Sequence, residues 1–139
     1  MWNSPRCLLS FSKSTQCPQY ILEDAIANGS GADTRIVVTQ PRKIAAVSVS
    51  ERVAAERCER IGNSIGYAVR FKRQTPRDYG GSIEFVTTGI LLRRLINDKS
   101  LTGISHVMID EVHERDINTD FLLVLLRDLL KERPDLRVI

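Results

Sequence analysis

The chain has 139 residues, of which 42% are hydrophobic and 27% charged, the balance of one globular domain and not of a disordered, collagen-like or two-domain chain. Its net charge of +3 permits a polyanionic partner without requiring one. The three cysteines, Cys7, Cys17 and Cys58, form no Cys-x-x-Cys pair, so a disulfide framework and a zinc site are not expected and a reducing compartment fits best.

The first dozen residues fit no regular element, and the apolar run after Arg6 is too short for an export signal. The β-branched run at 35–39 predicts a strand, and apolar residues at helical spacing over 41–60 predict a helix ending at Gly62. Residues 67–71 and 82–87 read as further strands, with Tyr67 and Phe71 as core, and 73–81, containing Pro76, Gly80 and Gly81, reads as an exposed loop between them. The second strand runs through Gly89 into a helix carrying Ile90, Leu91, Leu92, Leu95 and Ile96. Residues 106–109 form the strand expected to be most buried, with His106 as a packed or edge residue. A helix then starts near Asn118-Thr119-Asp120 and is followed by Pro134, and 136–139 begins one more strand. No stretch approaches the roughly eighteen apolar residues of a membrane span. Strands and helices alternating at these lengths predict an α/β fold with a mostly parallel sheet, helices on both faces, and ligands at the carboxyl ends of the strands.

Asp110-Glu111-Val112-His113 directly follows the apolar strand, which puts two carboxylates at the mouth of the sheet. Phosphate chemistry uses such a pair: one acid holds magnesium and the other orients the attacking water. Asp110 is assigned to magnesium, Glu111 to water, and His113 to sensing the nucleotide. A solvated charged loop is the alternative for any such pair taken alone. In context, the run from Asp110 through Glu114, Arg115 and Asp116 to Leu123 resembles the DEAH-box (DExH) ATP-dependent RNA helicases, especially the RNA helicase A and maleless group.

Several separated blocks over 13–139 carry that resemblance. Thr39-Gln40-Pro41-Arg42-Lys43 is similar to the family's motif Ia, with lysine where a second arginine is usual, and Thr87-Thr88-Gly89 to motif Ib. Both lie at strand-to-helix junctions, where amides, hydroxyls and cations offer sequence-blind contacts to RNA. In isolation the first is also an ordinary strand-to-helix turn and the second a helix cap. The 66–71 segment resembles one found between these motifs in the family.

The resemblance implies a RecA-like P-loop NTPase domain, here as a partial first motor domain over 12–139 after a divergent segment over 1–11. It implies ATP and Mg2+ as cofactors, with Lys13, Ser14 and Thr15 at the nucleotide and Ser14, Asp110 and Glu111 at the magnesium. RNA is the implied partner, double-stranded or structured and tracked as a single strand, with DNA as a second candidate. A second RecA-like domain and a Ser-Ala-Thr block complete the motor in the family, so unwinding is not expected of this chain alone. A P-loop enzyme of another class, such as a kinase, accounts for the lysine and acids but not for the Ia and Ib blocks.

One block departs from the pattern. The phosphate-binding loop should read G-x-x-x-x-G-K-[ST], because small residues let successive amides fold around the phosphate. Cys7 and Ser12 stand where the two glycines belong, and Ser10 and Phe11 fall inside the loop. A Cβ where φ must be positive costs about 1 kcal/mol or more, so a deformed loop is expected, and a truncated, catalytically inactive product that binds RNA or a protein partner is the second functional reading. An alternative start, or an upstream segment wrongly joined to a helicase exon, would explain the first eleven residues. The protein is expected in the nucleus or cytoplasm, not secreted and not in a membrane.

Overall fold

The computed structural model describes residues 12–139. Helix α1 (Lys13–Ala27) leads through a 3-10 turn at Gly31–Asp33 into β1 (Arg35–Gln40), followed by α2 (Lys43–Glu56), β2 (Ile65–Val69), β3 (Lys72–Gln74), β4 (Ser82–Thr87), α3 (Thr88–Asn97), β5 (His106–Ile109), α4 (Ile117–Glu132) and β6 (Arg137–Val138). The strands form one six-stranded sheet in the order β3-β2-β4-β1-β5-β6. Every pairing is parallel except the β2–β3 hairpin.

The strands alternate side chains between two faces, and each face has its own helical cover. Ile36 and Val38 of β1, with Ile83, Phe85, Tyr67 and Met108, pack under Leu22 of α1 and Ala46, Val53 and Ala54 of α2. Val37, Val86, Val107 and Ile109 point the other way, onto Leu91 and Leu95 of α3 and Leu122, Leu126 and Leu129 of α4. The fold is therefore the expected α/β class, a mostly parallel sheet between two helical layers. Among the described residues no helix is long and apolar enough to cross a membrane.

Three local expectations are corrected. Helix α2 stops at Glu56, not near Gly62, because the chain turns left-handed at Cys58 (φ 54°). The Cys58 amide donates to Ala55 O and the Glu59 amide to Ala54 O, the paired bonds that close a Schellman end. The strand expected at 67–71 lies at Ile65–Val69, and Arg70-Phe71 is the two-residue turn into β3. Phe71 continues the period-two pattern of Ile65, Tyr67 and Val69, but the chain reverses before it can turn inward: its φ is 70° and it is 91% exposed. The loop expected at 73–81 accordingly begins within β3, whose three residues are all exposed.

Candidate functional site

Asp110 follows the last residue of β5, at the carboxyl edge of the sheet. Its Oδ2 accepts hydrogen bonds from the hydroxyl of Ser14, on α1, and from Nε2 of Gln40, the last residue of β1, at 2.6 Å. Its Oδ1 accepts from the amide of Glu111 at 2.9 Å. Residues 14, 40 and 110 thus meet through one half-buried carboxylate. Glu111 has left-handed backbone (φ 57°) where the strand turns into a 3-10 turn at Val112–Glu114, and Arg115 has the same hand (φ 48°). Positive φ costs a non-glycine residue about 1 kcal/mol or more, and two of the five such residues among the described ones lie at this corner. The Glu111 carboxylate is 3.0 Å from Nε2 of the exposed His113. Ser14 Oγ and the Asp110 carboxylate are hard oxygen donors already in contact, the donor set that suits magnesium.

Helix α1 begins beside this carboxylate. Ser12 occupies its N-cap position with no side-chain cap bond, so among the described residues the first helical amides have no side-chain acceptor. Ser12 has φ −84°, ordinary for any L-residue, so serine in place of glycine is unstrained at this position. Cys7, Ser10 and Phe11 lie outside the described residues. Lys13 is exposed and makes no ion pair among the described residues. Thr15 is buried, and its hydroxyl is turned onto Ser12 O at 3.0 Å. Glu56 of α2 holds the helix by accepting from Gln19 at 2.7 Å and Gln16 at 3.1 Å.

A second feature opens on the same edge of the sheet, a groove lined by Pro41, Lys43, Arg70, Phe71, Thr87, Gly89 and Arg93 among others. It joins the start of α2, the start of α3 and the β2–β3 hairpin. Neither Arg42 nor Thr87, the N-cap residues of these helices, makes a side-chain cap bond, so two helix N-termini present uncapped amides beside cations. A Cβ on Gly89 would meet nothing within 4 Å, which leaves open space above that turn. Phe71 stands in the groove with the Arg70 guanidinium 4.8 Å and the Lys43 ammonium 5.7 Å from its ring centre. An exposed ring flanked by cations is the pairing that takes up nucleobases and phosphates.

The structure divides the residues expected at RNA. Arg42, Lys43 and Gly89 are exposed and Pro41 and Thr87 half-buried, whereas Thr39, Gln40 and Thr88 are buried. Arg42 lies 3.7 Å from Glu114. The Thr39 hydroxyl is buried without a hydrogen-bond partner among the described residues. The groove also contains Arg70, Phe71 and Arg93, which the motifs did not nominate; the one signal was the Arg70-Phe71 dipeptide that ends the 66–71 block. On the opposite edge, His106 is half-buried in β5 between β1 and β6, with Nδ1 2.8 Å from Ser105 Oγ. Burial, and then the charge of Arg137, hold its imidazole below the ordinary value.

No family model matches the chain. It is 58% identical over 127 residues, 91% of this chain and 10% of the relative, to the DExH-box ATP-dependent RNA helicase DExH3 of Arabidopsis thaliana. It is 50% identical to the ATP-dependent RNA helicase DHX30 of Gallus gallus over 127 residues, 91% of this chain and 10% of that one. To the ATP-dependent DNA/RNA helicase DHX36 of Homo sapiens it is 50% identical over 129 residues, 91% of this chain and 13% of that one. The chain therefore spans only about a tenth of the length of the curated relatives it matches. Over nearly all of its own length it resembles one segment of the DExH-box ATP-dependent RNA helicases.

Proposed function

We propose that this chain forms part of the first motor domain of an ATP-dependent RNA helicase, contributing a nucleotide site and one wall of an RNA path. The observation that carries the proposal is the meeting of Ser14 and Asp110, 96 residues apart, at the same sheet edge as the cationic groove. Lys13 and the uncapped start of α1 hold phosphate through charge and amides. Ser14 and Asp110 are the residues that would hold magnesium, which when bound supplies charge neutralisation at the phosphates. Glu111 orients the attacking water and accepts its proton, and His113, paired with it, responds to the state of that carboxylate.

Along the groove, Lys43, Arg93 and the helix N-termini hold RNA phosphates while Phe71 offers a face for a base. The contacts are to features every nucleotide shares, as a motor that moves along RNA requires. A second reading, a segment that binds RNA without turning over ATP, is favoured by one observation: Cys7 stands where the phosphate-binding loop calls for its first glycine, whereas the groove is lined by residues between Pro41 and Arg93.

The test is magnesium-dependent ATP binding by the purified chain, with Lys13→Ala and Glu111→Gln as comparisons, beside RNA binding over a salt series. Micromolar ATP binding lost in Lys13→Ala and retained in Glu111→Gln supports the nucleotide site. RNA affinity that falls with salt, with a slope reduced by about 1 in Lys43→Ala, supports the groove. A folded chain that binds RNA but no nucleotide leaves the second reading, and one that binds neither removes both.

A further inference from the structure

Gln40 belongs by position to the block expected to touch RNA, yet its side chain serves the other site. It is 3% exposed, and Nε2 donates to Asp110 Oδ2 at 2.6 Å. An ionised carboxylate only accepts, so it is the amide nitrogen that faces it. Pro41, Arg42 and Lys43, the next three residues, lead directly to the groove. One residue therefore has its side chain on the acidic corner and its backbone attached to the proposed RNA wall.

The connections between these two regions are few. The β1–β5 pairing ends at Thr39↔Ile109, and the next backbone link, from the Asp110 amide to Thr39 O, is long at 3.4 Å. The Arg42–Glu114 pair is 3.7 Å apart, with the Arg42 side chain 78% exposed, where solvent screens most of its strength. The Gln40 amide is the short, part-buried, charge-assisted bridge, and such bonds are directional and sensitive to small displacements.

We propose that Gln40 is a positioning residue for Asp110 and makes no RNA contact: movement of the β1–α2 junction, when Arg42 and Lys43 take up phosphate, reaches the magnesium-holding carboxylate through its side-chain amide. This rests on the functional reading given above for the two sites. By linkage, whatever shifts Asp110 from the nucleotide side acts back on RNA affinity through the same bond.

Nuclear magnetic resonance of the 15N-labelled chain, titrated with a single-stranded oligouridine, tests this. In the unaltered chain the backbone amides of Lys43 and Gly89 shift with added RNA, and the Gln40 side-chain amide and the Ser14 and Glu111 amides shift along the same saturation curve. Gln40→Leu keeps the bulk and removes the donor, and Gln40→Asn keeps the amide and shortens its reach, so each checks the other for misfolding. In both, RNA affinity is expected to stay within about twofold and the Lys43 and Gly89 shifts to persist, while the Ser14 and Glu111 shifts are lost. Persistence of those two shifts in the variants overturns the proposal. So does a weakening of RNA binding by about fivefold or more, which is what losing a direct contact predicts. Silence at Lys43 and Gly89 in the unaltered chain removes the RNA reading itself, and the bridge with it.

Discussion

Replacing Phe71 by glycine separates the work of the hairpin from the stability of the fold. At φ 70° an aromatic residue bears about 1–2 kcal/mol of backbone strain that glycine does not. Being 91% exposed, the ring gives up only about a tenth of the ~1.5–3 kcal/mol that full burial of a phenylalanine contributes. Glycine costs about 0.4–1 kcal/mol through the freer unfolded chain, and losing the contacts to Arg70 and Lys43 costs about 0.5–1 kcal/mol. These contributions nearly cancel, so Phe71→Gly should lie within about 1 kcal/mol of the unaltered chain, a shift of a few degrees in Tm. Truncating the fully buried Phe85 should instead cost about 3–5 kcal/mol. Fluorescence anisotropy with a labelled single-stranded RNA should show Phe71→Gly weakened by the ~1–3 kcal/mol that base stacking is worth. A loss of stability like that of Phe85→Ala would mean the ring packs after all. Unchanged RNA affinity would refute its role as a stacking face.

Other consequences follow from single contacts. Glu84 lies buried in β4 and is held by both terminal nitrogens of Arg94, at 2.6 and 2.9 Å; Arg94→Met should cost about 2–4 kcal/mol in urea unfolding by stranding that carboxylate, and adding Glu84→Met should recover much of it. No recovery in the double variant would point to lost packing instead. Because the folded imidazole of His106 titrates below its ordinary value, the unfolded chain takes up the proton first as pH falls. That part of the stability is present above about pH 6.5 and is lost below it. Thermal unfolding between roughly pH 7.5 and 5.5 should therefore be less pH-dependent in His106→Gln, and identical slopes would discard the assignment. Gly66→Ala would bring a methyl group to 2.4 Å from the carbonyl oxygen of Gln74, a backbone clash that should cost about 1–3 kcal/mol or more and undock β3. A chemical denaturation midpoint unchanged by this substitution would count against the hairpin geometry.

Much of the architecture was legible from residue pattern because local physics controls it. Val37 and Val107 sit in continuous apolar runs that only a sheet covered on both faces can bury, and Asp110 and Glu111 had to fall at a strand's carboxyl end once the second run ended. The end of α2, the end of β2 and the exposure of Phe71 were misread because each depends on a left-handed residue, Cys58 or Phe71, whose type announces no such turn. The site divides along the same line. Sequence alone nominated Ser14, Asp110, Lys43 and Gly89, since short motifs carry their own chemistry. That Gln40 turns inward to Asp110 while Lys43 turns outward beside Phe71 and Arg93 was decided only by the tertiary structure. Those partners lie between 28 and 70 residues apart in the chain, and only the packed sheet brings them together.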